Sequence, residues 1–136
     1  MVSEVTGEVG TEAGRRFAAA LAGKQVAVLT GLLAPDVDFR GLTPGRAWEA
    51  SDAAGVMTIL LDHWFEPTDE IDELVAITVS SVADRQHVSY RLRGHNADGP
   101  FVVEQQMYYQ VDTDDPGGDR IRWMRVLCSG FRPPGR

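Results

Sequence analysis

An α+β domain, with helices packed on one face of an antiparallel sheet, is what this sequence predicts, and three observations carry the prediction. Apolar residues at helical spacing are concentrated in the first half of the chain, before Pro67. Alternating and β-branched segments dominate the second half. Between Gln86 and Val111 two strand-like runs flank Ala97-Asp98-Gly99, where Asp-Gly supplies the positive backbone angles of a tight hairpin turn.

Length and charge bound the rest. A chain of 136 residues with 43% hydrophobic content suits one compact domain and needs neither metal nor disulfide to hold it. Thirteen basic against twenty acidic residues give a net charge of −7, which argues against a phosphate backbone as partner, so no nucleic acid is expected. The single cysteine, Cys128, rules out an internal disulfide framework and fits a reducing compartment. MVSEVTGEVG has no basic start and no apolar run, and no later stretch reaches membrane-spanning length; a cytoplasmic protein without a membrane partner is expected.

In chain order, residues 1–10 read as a flexible tail, Gly- and Glu-rich without helical spacing. Thr11 is a candidate N-cap, and Glu12 puts a negative charge in the first turn. Phe17, Leu21, Val28, Leu29, Leu32 and Leu33 then form an apolar stripe interrupted at Gly23, predicting one kinked helix or two short ones up to Ala34, where Pro35 disfavours helical geometry. Asp36–Leu42 alternates as a strand, with Phe39 inward and Asp38 outward. Thr43-Pro44-Gly45 breaks it, and Arg46-Ala47-Trp48 is expected in a loop or a single helical turn.

Ser51-Asp52 signals the next N-cap, followed by a long apolar helix that should end before Pro67. Val56, Leu60 and His63 fall at i, i+4 and i+7, which places His63 on an apolar face. Ile71–Val82 is β-branched and strand-like, the hairpin follows, and Arg120–Gly130 makes the last strand after the acidic loop DTDDPGGD. The domain should span residues 11–132, with a short tail at 133–136.

The hairpin itself is two-sided. Val88, Tyr90, Leu92 and Gly94 share one face of its first arm, Ser89, Arg91 and Arg93 the other. On its second arm Phe101, Val103, Gln105, Met107 and Tyr109 alternate with Val102, Glu104, Gln106, Tyr108 and Gln110, so each face carries both apolar and polar groups.

This order of elements, with RRFAAALAGKQVAVLTGLLAPDVDFRGLTPG early and DRIRWMRVLCSG late, resembles the nuclear transport factor 2-like superfamily over residues 11–131. The resemblance implies a cone-shaped α+β barrel: a strongly bent antiparallel sheet wraps the N-terminal helices and leaves a central pocket open at one end. SnoaL-like polyketide cyclases, ketosteroid isomerase, epoxide hydrolases, dehydratases and non-catalytic binding or dimerisation modules share that fold, so the fold alone does not choose a function. Isomerase chemistry in this superfamily uses a carboxylate base and an oxyanion hole built from a tyrosine and a protonated carboxylic acid. Aligned on the Pro-Asp strand, those positions fall at Gly41, Phe17 and Met107, none of which can do the work.

The resemblance also orients the sheet. Tyr90, Leu92 and Gly94, then Val103, Gln105, Met107 and Tyr109, would face the pocket, with Met124, Val126 and Cys128 from the last strand and Phe17 and Phe39 completing the wall. Arg91, Arg93, Glu104, Gln106, Tyr108, Arg122 and Arg125 would lie outside, on the face through which members of this superfamily often form homodimers; a solvated face laced with ion pairs is the alternative. Arg46 and Trp48 would lie near the mouth, to close over a ligand or to anchor their loop.

Two functions stay open on this reading. One is a binding domain without catalysis for a small apolar or amphipathic molecule, oriented by Tyr90, Gln105 and Tyr109. The other is a SnoaL-like cyclase, dehydratase, hydrolase or isomerase, in which His63 is the general base and Tyr90 stabilises a developing oxyanion. The second requires His63 and Tyr90 to converge on one ligand position. A purely structural dimerisation module would instead have its interior filled by Trp64, Met107 and Met124. No cofactor is expected, and the histidine and cysteine spacings predict no metal site.

Overall fold

The computed structural model describes residues 2–112 and 120–134, with side chains from residue 12 onward. The segment 113–119, which holds most of the acidic loop before the last strand, lies outside the described residues. Helix α1 (Val2–Ala22) is followed by α2 (Val26–Leu32), strands β1 (Leu33–Thr43) and β2 (Arg46–Ala50), α3 (Ala53–Thr58) with a π-helical extension (Ile59–Trp64), and strands β3 (Glu70–Val82), β4 (Arg85–Asn96), β5 (Gly99–Asp112) and β6 (Arg120–Cys128).

The six strands form one sheet in the order β2-β1-β6-β5-β4-β3. Its outer members, β2 and β3, do not pair, so the sheet curls into a cone without closing. Every neighbouring pair is antiparallel except β1 and β6, which run parallel with Phe39 opposite Met124. The expected all-antiparallel sheet is therefore mixed, because the last strand docks against the first in the same direction.

Several elements differ from expectation for physical reasons. The backbone of α1 is helical from Val2, ahead of the expected start at Thr11; extending an existing helix adds one bond per residue fixed, without a new nucleus. The break at Gly23 is real, with Lys24 in the left-handed region at φ 50°. Helix α2 stops at Leu32, earlier than Ala34, and β1 already begins at Leu33. Pro35 sits inside that strand, where its pairing with β6 shifts register between Leu33 and Asp38, a place where a missing backbone donor is tolerated.

Arg46-Ala47-Trp48 is neither loop nor helical turn. It belongs to β2, hairpinned onto β1 through Pro44-Gly45, with Thr43 paired to Arg46 and Gly45 at φ 79°. Proline followed by a left-handed glycine is the type II turn pattern, and it turns the chain back on itself.

Asp52 caps α3 as expected, its carboxylate accepting from Gly55 N–H at 2.7 Å. The helix then widens: Phe65 N–H donates to Leu60 C=O at 2.8 Å, an i→i+5 bond. The wider turn carries the buried stripe from Val56 and Leu60 to Trp64 and leaves His63 exposed, so the apolar-face placement of His63 does not hold.

The hairpin forms as read. Asn96 pairs with Gly99 around Ala97-Asp98, and Gly99 takes φ 116°. Face parity follows the expected alternation, with Val88, Tyr90, Leu92, Val103, Gln105, Met107 and Tyr109 buried and Arg91, Arg93, Glu104 and Tyr108 exposed. Helix α1 lies across β3 and β4, and Phe17, Leu21, Leu29, Phe39, Met107 and Met124 meet in one core. No helix among the described residues is long and apolar enough to cross a membrane.

Candidate functional site

Most of the side chains expected to wall a central pocket are buried against one another. Phe17, Phe39, Tyr90, Leu92, Val103, Met107, Tyr109, Met124 and Val126 are all buried in a continuous core. The cavity lies instead at the open end, with a volume of about 500 Å³. Three connections build it. They are the loop after the π-helical turn (residues 65–69), the tip of the β4–β5 hairpin (96–98) and the chain leaving β6 (128–131), joined by Thr43 and Trp48 from the β1–β2 hairpin.

Aromatic rings make the walls. Trp48 meets the His63 ring at 5.2 Å and stands edge-on to Trp64 at 6.3 Å. Its indole N–H donates to Thr43 Oγ1 at 2.9 Å, and the Arg46 guanidinium stacks 3.6 Å from its ring. Arg46 thus anchors Trp48 and is itself outside the cavity lining. Across the mouth, Phe131 stacks on Phe101 at 4.1 Å and contacts Phe65 at 6.0 Å.

The polar groups come mainly from loops. Asp69 is only 6% exposed, yet it lines the cavity. Its carboxylate accepts from Asn96 Nδ2 at 2.8 Å and from Glu66 N–H at 2.9 Å, tying the loop to the hairpin tip. Lys24 reinforces the loop from the helical side, its ammonium donating to the Glu66 carbonyl at 2.7 Å and to the Asp69 carbonyl. Such satisfaction is what a buried carboxylate requires. Trp64, also 6% exposed, carries the only buried side-chain polar atom among the described residues without a partner, its indole N–H.

Beneath the cavity runs a short polar chain. Tyr90 hydroxyl donates to Gln105 Oε1 at 2.6 Å, and Gln105 Nε2 donates to Cys128 Sγ at 3.3 Å. Cys128 lines the cavity floor. Burial pushes its thiol up from the ordinary value, opposed by the backbone N–H of Gly130 and by Gln105. Burial also raises the Tyr90 phenol, with the neighbouring Cys128 adding to the effect. Neither group is set up as a ready anion.

Of the residues expected to bind a ligand, Trp48, His63 and Cys128 line this cavity; the remainder pack in the core, apart from Arg46. His63 and Tyr90 are not brought together, because His63 stands exposed at the mouth while Tyr90 spends its hydroxyl on Gln105. Reasoning from sequence missed Phe65, Asp69 and Phe131, which lie in connections, and Asn96, the last residue of β4. An aspartate two residues after Pro67 was the signal within reach, since such residues commonly close turns through their side chains. No group of three or more metal-ligating side chains occurs among the described residues.

No family model matches the sequence, and no curated protein matches it. Solved structures do. The chain is similar to a provisionally named isomerase from Bacillus subtilis at 19% identity and a TM-score of 0.72, covering 90% of this chain and 87% of that one. An LEH-like epoxide hydrolase from M. tuberculosis matches at 12% identity and a TM-score of 0.61, covering 92% and 84%. A protein of ketosteroid isomerase-like fold from Catenulispora acidiphila, solved with trimethylamine, matches at 15% identity and a TM-score of 0.57, covering 85% and 83%. At these identities the likeness concerns the fold, and it extends over most of each chain.

Proposed function

We propose that this chain, which has the nuclear transport factor 2-like fold, is a binding domain for a small apolar or amphipathic molecule held at the open end of its cone. The observation that carries the reading is the cavity of about 500 Å³ walled by Trp48, Trp64, Phe65 and Phe131. Ligand sites typically occupy roughly 300–1,000 Å³, with apolar walls and a few placed polar groups. Here the placed groups are His63, Asp69 and Asn96. Gly41 and Met107, at the positions where the isomerase carboxylates would stand, favour binding over that chemistry.

A homodimer through the outer sheet face belongs to the same proposal. Leu42 and Leu127 are neighbours across β1 and β6, 53% and 55% exposed, and with Tyr108 they border an apolar groove on that face. Elsewhere on the same face, Arg91 donates through Nε and Nη2 to one oxygen of Glu104 at 3.0 and 2.6 Å, and Arg93 donates to Glu73 at 3.1 Å. Exposed apolar area of this kind is common at subunit interfaces. The free thiol of Cys128 accords with a cytoplasmic setting.

A second reading, acid–base catalysis on an apolar cyclic substrate, rests on one observation: His63 and Asp69 line the same cavity. In that reading His63 remains the base, but Tyr90 drops out as the oxyanion stabiliser, since it is buried against Gln105 and does not line the cavity.

Titration with the neutral fluorescent probe N-phenyl-1-naphthylamine tests the binding reading. Saturable enhancement that is lost in Trp48→Ala and Phe131→Ala supports it. Equal enhancement in both variants would place the probe elsewhere and refute it.

A further inference from the structure

We infer that the ligand of this cavity carries a positive charge, as a protonated or quaternary amine on an apolar body. This rests on the binding reading above and names the class of molecule for that site.

The charge of the lining is one-sided. Among the described residues, Glu66, Asp69 and Asp98 line the cavity and no lysine or arginine does; His63 is the only basic side chain of that lining. Two cations flank it and are already engaged. Lys24 is held by the carbonyls of Glu66 and Asp69, and Arg46 is stacked on Trp48. They soften the negative field without presenting a charge to a guest.

The aromatic walls point the same way. A ring face attracts a cation through its quadrupole, most strongly for tryptophan, and aromatic cages closed by carboxylates suit ammonium groups. Trp48, Trp64, Phe65 and Phe131 supply rings from four separate positions around one volume.

A neutral apolar guest can fill this volume but fits its lining less well than a cation of the same size. It would strip water from Glu66 and Asp98, both exposed in the free protein, and return no compensating interaction. An anion would meet three carboxylates. A cation with an apolar body offsets the carboxylate desolvation and still fills the ring-lined volume.

Three benzyl compounds of similar size separate the possibilities: benzyltrimethylammonium, benzyl methyl ether and phenylacetate, each titrated calorimetrically at low ionic strength. The cation is expected to bind about tenfold or more tighter than the ether, with phenylacetate weakest. In a Glu66→Gln/Asp98→Asn variant, both changes being on exposed side chains, that preference should shrink severalfold, with cation binding weakened and ether binding equal or tighter. Equal binding of cation and ether, tightest binding of phenylacetate, or a preference untouched in the variant would each overturn the inference and leave the cavity reading standing. Binding of none of the three would remove the cavity reading, and the inference with it.

Discussion

The indole of Trp64 occupies the space that any side chain at Gly41 would need: a Cβ there would meet Trp64 Cη2 at 2.7 Å and Cζ2 at 2.9 Å. Gly41 is also where alignment on the Pro-Asp strand puts the isomerase base. The missing carboxylate and the tryptophan that fills its place are therefore one structural fact. Phe39 closes the remaining side, its Cζ 3.1 Å from the same point.

Gly41→Asp should consequently destabilise the fold by about 1–3 kcal/mol through overpacking, and should not create isomerase activity. Denaturant melts check the first part. Combining it with Trp64→Ala should recover part of the loss relative to the sum of the single changes, because the pair shares one volume.

A second close approach joins helix to sheet. A Cβ on Gly14 would run into the Tyr109 hydroxyl and lie 2.9 Å from its Cζ. Gly14→Ala is expected to cost about 1–3 kcal/mol despite alanine's better helix propensity. In a Tyr109→Phe background the cost should fall, measured by chemical denaturation of the four proteins in the cycle.

Tyr109 also predicts a response to alkali. Burial pushes its phenol up to about 12, against the smaller opposing effects of a backbone hydrogen bond with Gly14 and the charge of Arg15. The unfolded chain ionises this group near about pH 10, so from there to about 12 the native state binds more protons than the unfolded state, and stability falls as pH rises. Tyr90 acts in the same direction. Melts across this range should show a shallower decline in Tyr109→Phe.

His95 gives the opposite kind of test, at the surface. Its hydrogen bond to Asp72 at 2.8 Å, then that carboxylate's charge, raise it above the ordinary histidine value, with Glu70 contributing less. A raised value means the interaction stabilises fully below the unfolded pKa and is lost as pH rises through the folded one. Imidazole NMR titration should find His95 displaced upward and restored toward normal in Asp72→Asn. Any stability difference between the two proteins should be present near about pH 5 and gone near about pH 9.

On the outer face, Leu127→Glu should shift the protein toward monomer in sedimentation velocity, with a change in monomer stability of no more than about 0.5 kcal/mol, as is usual for an exposed site. An unchanged sedimentation coefficient would remove the proposed interface.

Much of this architecture could be read from residue pattern, and the exceptions have physical causes. The hairpin was legible because strict alternation and Asp-Gly specify face and turn together. The five residues of β2 were not, since RAWEA becomes a strand only by pairing with β1. The widened turn at Leu60–Phe65 leaves no mark on a 3.6-residue spacing, so it moved His63 off the predicted face. The inward face of the sheet was identified correctly, but its side chains were expected to wall a central pocket. They pack instead, and the cavity is made by connections distant in sequence that only the topology brings together.

Amide NMR during titration with N-phenyl-1-naphthylamine tests the central claim, the location of the ligand site, most directly. The account predicts saturable shifts concentrated at Thr43, Trp48, residues 63–69, the hairpin tip 96–98 and residues 128–131. Shifts centred on Leu42, Tyr108 and Leu127 of the outer face, with the cone's open end undisturbed, would contradict it.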